Sequence, residues 1–337
     1  MNSSRTRAAA PDESPAVEPP ERELDETRRS LLSWRTLLLQ AIGFALGAGF
    51  LVWLLWFSGP GLWSRLKGAE PRLLLALAGC SVASLLLNGA IFWLAVRPIR
   101  PLPFVELQCV NAFAGLVNYA PVRLGVVARI LWHLRVDRLR VREVAAWFAS
   151  VSYTILVPLG AALAAALLVT TLDWRFALLM AALVTIGGVV APWAAKTNLI
   201  RRRTNGLERV ITDPVVLWGS MALRIADLGF WAARMLVAVE ILGLGLTPGQ
   251  AVMLAMANLA VTLNPLGRIG YREAAVTLVA SRLLAGEGDL LRQSGELALV
   301  ESAGEFLVAL PAGLLAALML AKRWRASRRT TTPARAA

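Results

Sequence analysis

Two stretches of the sequence place charged and helix-breaking residues within apolar surroundings. The segment 262–275 contains two arginines, one glutamate, two glycines and one proline between apolar runs that are too short to cross a bilayer. The segment 118–129 is a weaker version of the same pattern. In lipid, an interrupted backbone is tolerated only where protein or a cavity surrounds it, and ionisable groups at membrane depth mark functional sites. We therefore expect the two segments to form the two halves of one functional site.

The residue types in both segments suit the binding of a phosphate group. A proline or glycine break leaves backbone N–H groups unpaired, and the helix that restarts after it directs its positive dipole end into the break. Arginine side chains beside such a break donate charge-assisted hydrogen bonds to anions. We predict no catalytic residue but a substrate-binding set for an anionic headgroup, which comprises Arg123, Arg129, Pro265, Gly267, Arg268, Gly270, Arg272 and Glu273.

The alternative for these arginines is a structural role, in which they cap carbonyl groups, pair with nearby acids or lie at the membrane interface. Glu273 follows Arg272 directly, and adjacent positions on a helix do not face each other. Glu273 is therefore expected either to meet an arginine of another element or to accept a hydrogen bond from a substrate amine or hydroxyl.

A second set of polar residues predicts a polar or proton pathway through the membrane. Glu301 and Glu305 are four residues apart on one helix face, so they either exchange protons or pair with the arginines of the broken segments. Arg224, Asp227 and Arg234 also share a face, which predicts either an internal ladder of ion pairs or a part of the substrate path. The full set comprises Asn118, Arg224, Asp227, Arg234, Asn264, Glu301 and Glu305.

The composition is that of a polytopic membrane protein. Of the 337 residues, 57% are hydrophobic and 17% are charged, whereas soluble domains contain about 25% charged residues. The net charge of +13 would favour nucleic-acid binding in a soluble domain. Here the basic residues lie mostly in loops and tails, as topology signals and contacts to anionic lipid, so we expect no nucleic-acid partner. His133, Cys80 and Cys109 form no ligand cluster, so we predict no metal and no other cofactor.

The apolar pattern predicts an all-α polytopic membrane protein with about six transmembrane helices and two re-entrant or broken helical hairpins. Residues 1–30 are predicted to form a disordered cytoplasmic tail, 31–325 the transmembrane domain and 326–337 a basic cytoplasmic tail. The segments that approach the roughly 20 residues needed to cross a bilayer are 37–57, 73–96, 144–169, 176–195, 215–244 and 297–321.

Two shorter units lie between these spans and resemble each other. Each opens with a proline, at 103 and 248, and reaches a second proline 18 or 17 residues later, at Pro121 and Pro265. An asparagine lies within three residues before the second proline, and a glycine and an arginine follow it. We read both units as re-entrant hairpins. Two short spans packed deep in a helical bundle are the alternative.

The topology follows from the number of spans between the two units. Three spans separate them, and an odd number means that the hairpins enter from opposite faces, as in an inverted repeat whose binding region lies near the midplane. The loop 58–72 fits the positive-inside rule poorly, but the other basic loops place both termini in the cytoplasm. We expect a multi-pass protein of a prokaryotic cytoplasmic membrane. The basic loops are 97–100, 135–142 and 196–209, followed by the tail 322–335.

The two broken segments resemble motifs of the lysylphosphatidylglycerol synthase transmembrane-region family, which is also described as flippase-like. The first family motif is similar to P-x-R-x-G-E-x-x-R, and residues 121–129 follow it except that Val126 replaces the acid. The second is similar to P-G-G-x-G-x-R-E-A. Residues 265–274 are one residue longer than this motif and match it at Pro265, Gly267, Gly270, Arg272, Glu273 and Ala274, with Leu266 and Arg268 departing from its glycine-rich start. The resemblance covers roughly residues 35–325.

The resemblance implies a membrane protein that moves or handles polar lipids. In some family members a similar membrane region is joined to a soluble aminoacyl-transfer domain. Only a short basic tail follows the last predicted span, so we expect no lysyl-lipid synthesis. The sequence contains no nucleotide or metal motif for a donor site, so we expect a transporter rather than an enzyme. The leading hypothesis is a translocase whose partners are membrane lipids, either an anionic or zwitterionic phospholipid or a polyprenyl-phosphate-linked substrate, working by alternating access. The alternatives are an integral-membrane transferase, with Glu273 or Asp227 as general base, and a non-catalytic accessory subunit that positions a lipid-modifying enzyme.

Overall fold

The computed structural model describes residues 34–119, 124–169, 172–197, 207–261, 270–283 and 290–330. These residues are 88% helical and contain no strand, so the predicted all-α fold is confirmed for this part of the chain. The helices are α1 (Trp34–Gly68), α2 (Pro71–Val96), α3 (Phe104–Val117), α4 (Leu124–Arg135), α5 (Val141–Leu168), α6 (Trp174–Ala195), α7 (Arg209–Thr212), α8 (Pro214–Leu242), α9 (Pro248–Val261), α10 (Tyr271–Leu283) and α11 (Leu290–Thr330).

Within these ranges, four helices are long and apolar enough to cross a membrane. They are α2, α5, α6 and the part of α11 from Arg292 to Arg325. A fifth candidate is α1, whose axis bends by 68° between Ala45–Phe57 and Leu62–Gly68. The bend coincides with Pro60 and its flanking glycines, where the sequence predicts a break because proline lacks a backbone N–H. These helices make the chain a multi-pass membrane protein.

Helix α8 differs from these spans because it carries several charges inside the protein. It is 29 residues long, and Arg224, Asp227 and Arg234 are among its buried residues. Its main packing partner is α2, and an apolar core built largely from α8, α9 and α11 surrounds its second half. A buried charge must be paired or hydrogen-bonded. The partners of these three residues therefore define the polar interior of the protein.

In the described ranges, each of the two predicted hairpins contains two short helices of similar length, and we call each such pair a helix–break–helix unit. The first helices, α3 and α9, have 14 residues each, and the second helices, α4 and α10, have 12 and 13. At 1.5 Å per residue each helix is at most about 21 Å long, which is shorter than the roughly 30 Å hydrocarbon core. The two helices of each unit pack against each other, and α11 contacts both units through α3 and α10.

Local sequence signals set the starts of these helices. Thr247 and Gln250 form a reciprocal capping box at the start of α9, in which the Thr247 N–H donates to Gln250 Oε1 (2.8 Å) and the Gln250 N–H donates to Thr247 Oγ1 (3.4 Å). The Asp213 carboxylate accepts hydrogen bonds from the first backbone N–H groups of α8. In the first unit, a Cβ atom at Gly125 would overlap the Ala114 carbonyl oxygen, so the glycine allows α4 to approach α3.

The segment 58–72, which the sequence predicts as a loop that fits the charge rule poorly, is helical up to Gly68, and one of its basic residues has an ion-pair partner. Arg65 forms an ion pair with Glu296 near the start of α11 (Nε–Oε2 3.3 Å). Glu296 also pairs with Arg292 at 3.3 Å. Arg65 therefore has an ion-pair partner within the protein, so it is weaker evidence for the side of the membrane on which this segment lies.

Candidate functional site

A buried cluster of two arginines and two glutamates joins three helices. Arg234 of α8 and Arg272 of α10 each form ion pairs with both Glu301 and Glu305 of α11. The Arg272–Glu305 distance is 2.5 Å and the Arg234–Glu305 distance is 3.2 Å. Glu301 is fully buried and also accepts a hydrogen bond from Asn258 of α9. We call the four charged residues the arginine–glutamate cluster. Their formal charges cancel.

The indole ring of Trp231 connects this cluster to helix α2. The guanidinium carbons of Arg234 and Arg272 lie 4.5 Å and 5.3 Å from the ring centroid, which are cation–π distances. The indole Nε1 donates a hydrogen bond to the Ser84 hydroxyl at 2.9 Å. Trp231 therefore supports both arginines of the cluster and holds α8 against α2.

A separate ion pair lies further toward the start of α8. Arg224 Nη1 donates to Asp227 Oδ2 at 2.6 Å, and the Ser84 hydroxyl donates to Asp227 Oδ1 at 2.5 Å. Arg224 Nη2 also donates to Asn88 Oδ1 at 3.3 Å. Both charged residues are buried. The sequence allowed an internal ladder of three charges on α8, and the structure pairs two of them, while Arg234 belongs to the arginine–glutamate cluster.

Arg129 of α4 is a buried arginine that forms no ion pair with any carboxylate in the described ranges. It is 8% exposed. Its Nη2 donates to Asn111 Oδ1 at 2.6 Å, and its guanidinium carbon lies 3.9 Å from the centroid of the Phe92 ring. Its Nε has no hydrogen-bond partner among the described atoms. Because arginine stays protonated in proteins, Arg129 brings an uncompensated positive charge into the interior.

Arg129 lines a cavity of about 410 Å³ between helices of both halves of the chain. Small-ligand pockets usually measure about 300–1,000 Å³, so the cavity is large enough for a headgroup. Apolar side chains of α2, α5 and α11 form much of the remaining wall. Such a wall suits a ligand that has both an anionic group and apolar parts. The charged and amide side chains in the lining are Arg129, Arg224, Asp227, Arg234, Glu305, Asn88, Asn111 and Asn118.

A continuous chain of polar contacts joins the first helix–break–helix unit to the second. Each step is a hydrogen bond, an ion pair or a cation–π contact, and the link between α3 and α2 is the hydrogen bond from Asn88 Nδ2 to Asn111 Oδ1 (3.1 Å). The two units therefore share one polar interior, which contains the cavity. In order, the chain runs through Arg129, Asn111, Asn88, Arg224, Asp227, Ser84, Trp231 and Arg272.

Gly270 and Glu273 build the start of α10. Gly270 has a φ of +79°, and a Cβ atom there would overlap the carbonyl oxygen of Gly47 in α1. The Gly270 N–H donates to Glu273 Oε2 at 2.8 Å, and the Ser302 hydroxyl donates to Glu273 Oε1 at 2.5 Å. Glu273 thus caps α10 from its third position and ties it to α11. The sequence predicted an arginine or a substrate group as its partner, whereas the structure gives it a backbone amide and a serine hydroxyl.

The structure brings many of the predicted site residues together. Arg272 and Glu301 lie in the arginine–glutamate cluster, next to the cavity that Glu305 lines. Gly270 and Glu273 lie at the start of α10. Five predicted residues lie outside the described ranges, namely Arg123, Asn264, Pro265, Gly267 and Arg268. The residues of the two predicted sets that line the cavity are Asn118, Arg129, Arg224, Asp227, Arg234 and Glu305.

Sequence reasoning missed four residues of this interior, namely Ser84, Asn88, Phe92 and Trp231. Ser84 and Asn88 interrupt an otherwise apolar span, and a polar side chain in such a helix indicates a hydrogen bond to another helix. The polar residues Ser84 and Asn88 could therefore have been identified from the sequence. Phe92 and Trp231 carried no signal, because an aromatic residue in an apolar helix usually packs against other apolar side chains.

No family model, no curated protein and no solved structure matches this chain. The resemblance to the flippase-like family therefore rests on the two motifs alone.

Proposed function

We propose that this protein translocates a polar lipid or a lipid-linked substrate across the membrane, and that Arg129 binds the anionic headgroup in the cavity. The observation that carries the proposal is the buried guanidinium of Arg129, which lines the cavity without an ion-pair partner in the described ranges. A buried charge without a counterion is costly, and a bound anion would remove that cost. A phosphate oxygen is an acceptor that guanidinium geometry suits well.

The other arginines have a supporting role in this proposal. The guanidinium groups of Arg234 and Arg272 are engaged by Glu301 and Glu305, so these groups hold α8, α10 and α11 together beside the cavity. This differs from the prediction that Arg272 contacts the headgroup directly. Arg123 and Arg268 stay predicted headgroup ligands.

The two helix–break–helix units supply the moving parts of the proposed translocase. In inverted-repeat transporters, broken helices meet near the midplane and access alternates when one repeat rocks against the other. Here both units contact α11, and the chain of polar contacts joins them, so a movement of one unit would change the surroundings of the other. The two units would enter from opposite faces of a prokaryotic cytoplasmic membrane, with both termini in the cytoplasm, as the basic loops predict.

The transferase alternative requires Glu273 or Asp227 to act as a general base. The Glu273 carboxylate accepts hydrogen bonds from a backbone amide and a serine. The Asp227 carboxylate accepts them from Arg224 and Ser84. These contacts give both carboxylates a structural role, and they favour transport over group transfer.

The proposal predicts that Arg129→Gln slows headgroup movement by about tenfold or more, because a hydrogen bond to a charged group is worth about 1.5–3 kcal/mol. The full chain is reconstituted in phosphatidylcholine vesicles that contain a fluorescent anionic phospholipid. Translocation is measured as the fraction of the label that becomes accessible to a membrane-impermeant quencher with time.

The matched control for this experiment is Arg135→Gln, which removes an exposed arginine from the end of the same helix. It should translocate at the rate of the unmodified chain. Two results would count against the proposal: no movement of several fluorescent anionic lipids by the unmodified chain, or equal rates for Arg129→Gln and the unmodified chain.

A further inference from the structure

The charges on the cavity wall can be counted, and they do not cancel. Five ionisable side chains of the described ranges line the cavity, three cations and two anions. Asp227 pairs with Arg224, and Glu305 pairs with Arg234. Behind the wall, Arg272 and Glu301 add one charge of each sign and pair with each other. Among the described residues, Arg129 is left as a single positive charge without an ion-pair partner.

Glu273 does not change this count at the wall. It is absent from the lining of the cavity, and its carboxylate is bound at the start of α10 by the Gly270 N–H and the Ser302 hydroxyl. The positive end of the α10 dipole lies at the same place and stabilises an acidic side chain there. The negative charge of Glu273 is therefore stabilised at the start of α10 and does not lie on the cavity wall.

We infer that the cavity selects a ligand whose phosphate group carries one negative charge, which is a phosphodiester, over a phosphomonoester or a diphosphate. This inference rests on the proposed function and narrows its substrate class. It takes Arg129 as the arginine that meets the phosphate, in place of the larger predicted set that also contains Arg123 and Arg268. One negative charge neutralises Arg129, whereas a second would stay buried without a partner, which is strongly unfavourable at low dielectric. Phospholipids with a substituted phosphate and polyprenyl monophosphate sugars both belong to the favoured class. Polyprenyl diphosphates do not.

The residue that leaves Arg129 without an intrahelical partner is Val126. Val126 lies three residues before Arg129 on α4, and it also lines the cavity. Residues three apart on a helix are neighbours, so an acid at position 126 would pair with Arg129. With valine at this position, the described part of the wall keeps one net positive charge. Val126→Glu should therefore cancel the charge of the cavity, and Val126→Gln, of similar size but neutral, should preserve it.

The test uses four dioleoyl lipids that differ only at the headgroup: diacylglycerol, phosphatidylmethanol, phosphatidic acid and diacylglycerol diphosphate. Their binding to the detergent-purified full chain is measured by native mass spectrometry at about pH 8, above the second phosphate pKa of about 6. We expect phosphatidylmethanol to bind at least about tenfold more tightly than the other three, a difference of about 1.4 kcal/mol, because each of the others leaves a buried charge without a partner. Val126→Glu should remove this preference, and Val126→Gln should keep it.

The outcomes separate the inference from the proposed function. Tighter binding of phosphatidic acid or the diphosphate than of phosphatidylmethanol would overturn the single-charge inference and leave a lipid translocase in place. Equal binding of all four lipids, unchanged by Arg129→Gln, would overturn both. The order of the four lipid affinities, measured with the unmodified chain, tests the single-charge inference even if Val126→Glu fails to fold.

Discussion

Arg272→Met should destabilise the folded protein by about 3–5 kcal/mol, the usual cost of removing one partner from a buried ion pair. The substitution leaves the buried carboxylates of Glu301 and Glu305 with Arg234 as their remaining arginine partner among the described residues. It also removes the ion pairs between α10 and α11, while the hydrogen bond from Ser302 to Glu273 remains. The measurement is the midpoint temperature of thermal unfolding of the detergent-purified protein. It is obtained from the fraction that stays monodisperse in gel filtration after heating to each temperature.

The control for Arg272→Met is Arg282→Met, which replaces an exposed arginine of the same helix and should leave the midpoint nearly unchanged. The double variant Arg272→Met with Glu301→Gln restores a neutral cluster and should recover at least half of the loss. An unchanged midpoint for Arg272→Met would contradict the structural role of this arginine. A stable Arg272→Met protein that no longer translocates lipid would instead identify Arg272 as the headgroup ligand that the sequence predicts.

Gly270→Val should prevent folding of the second helix–break–helix unit and leave little monodisperse protein. The backbone at Gly270 has φ +79°, a conformation that costs a residue with a Cβ about 1–2 kcal/mol and a β-branched residue more. A Cβ atom would also overlap the carbonyl oxygen of Gly47, so α1 and α10 would have to separate. The measurement is the yield and the gel-filtration profile of the variant after extraction in mild detergent.

The control for this substitution is Gly229→Ala in α8. A Cβ atom at Gly229 meets no atom within 4 Å, and alanine is favoured over glycine in a helix by about 1 kcal/mol. This variant should be as stable as the unmodified protein or more stable. Normal yield and a normal profile for Gly270→Val would show that the tight contact between α1 and α10 is not required for folding.

The positions of most helices follow from the pattern of apolar residues along the chain. Spans predicted at 73–96 and 176–195 correspond to Pro71–Val96 and Trp174–Ala195, because an apolar run in lipid must satisfy its backbone hydrogen bonds within one helix. The last helix is longer than its predicted span of 297–321 and covers Leu290–Thr330. Polar residues at its ends pair with other elements, as Glu296 does with Arg65. Hydropathy detects only the apolar part of such a helix.

The sequence also determined which residues the site is built from, because arginines and glutamates inside apolar segments are rare and conspicuous. Their partners were decided by the tertiary structure alone. Periodicity places Glu301 and Glu305 on one face of α11, but only the packing of α8 and α10 against that face brings Arg234 and Arg272 to them. The packing of α4 brings Arg129 to an asparagine and an aromatic ring instead. Electrostatic pairing acts over a few ångströms between helices distant in sequence, and spacing along one helix carries no information about the helix opposite.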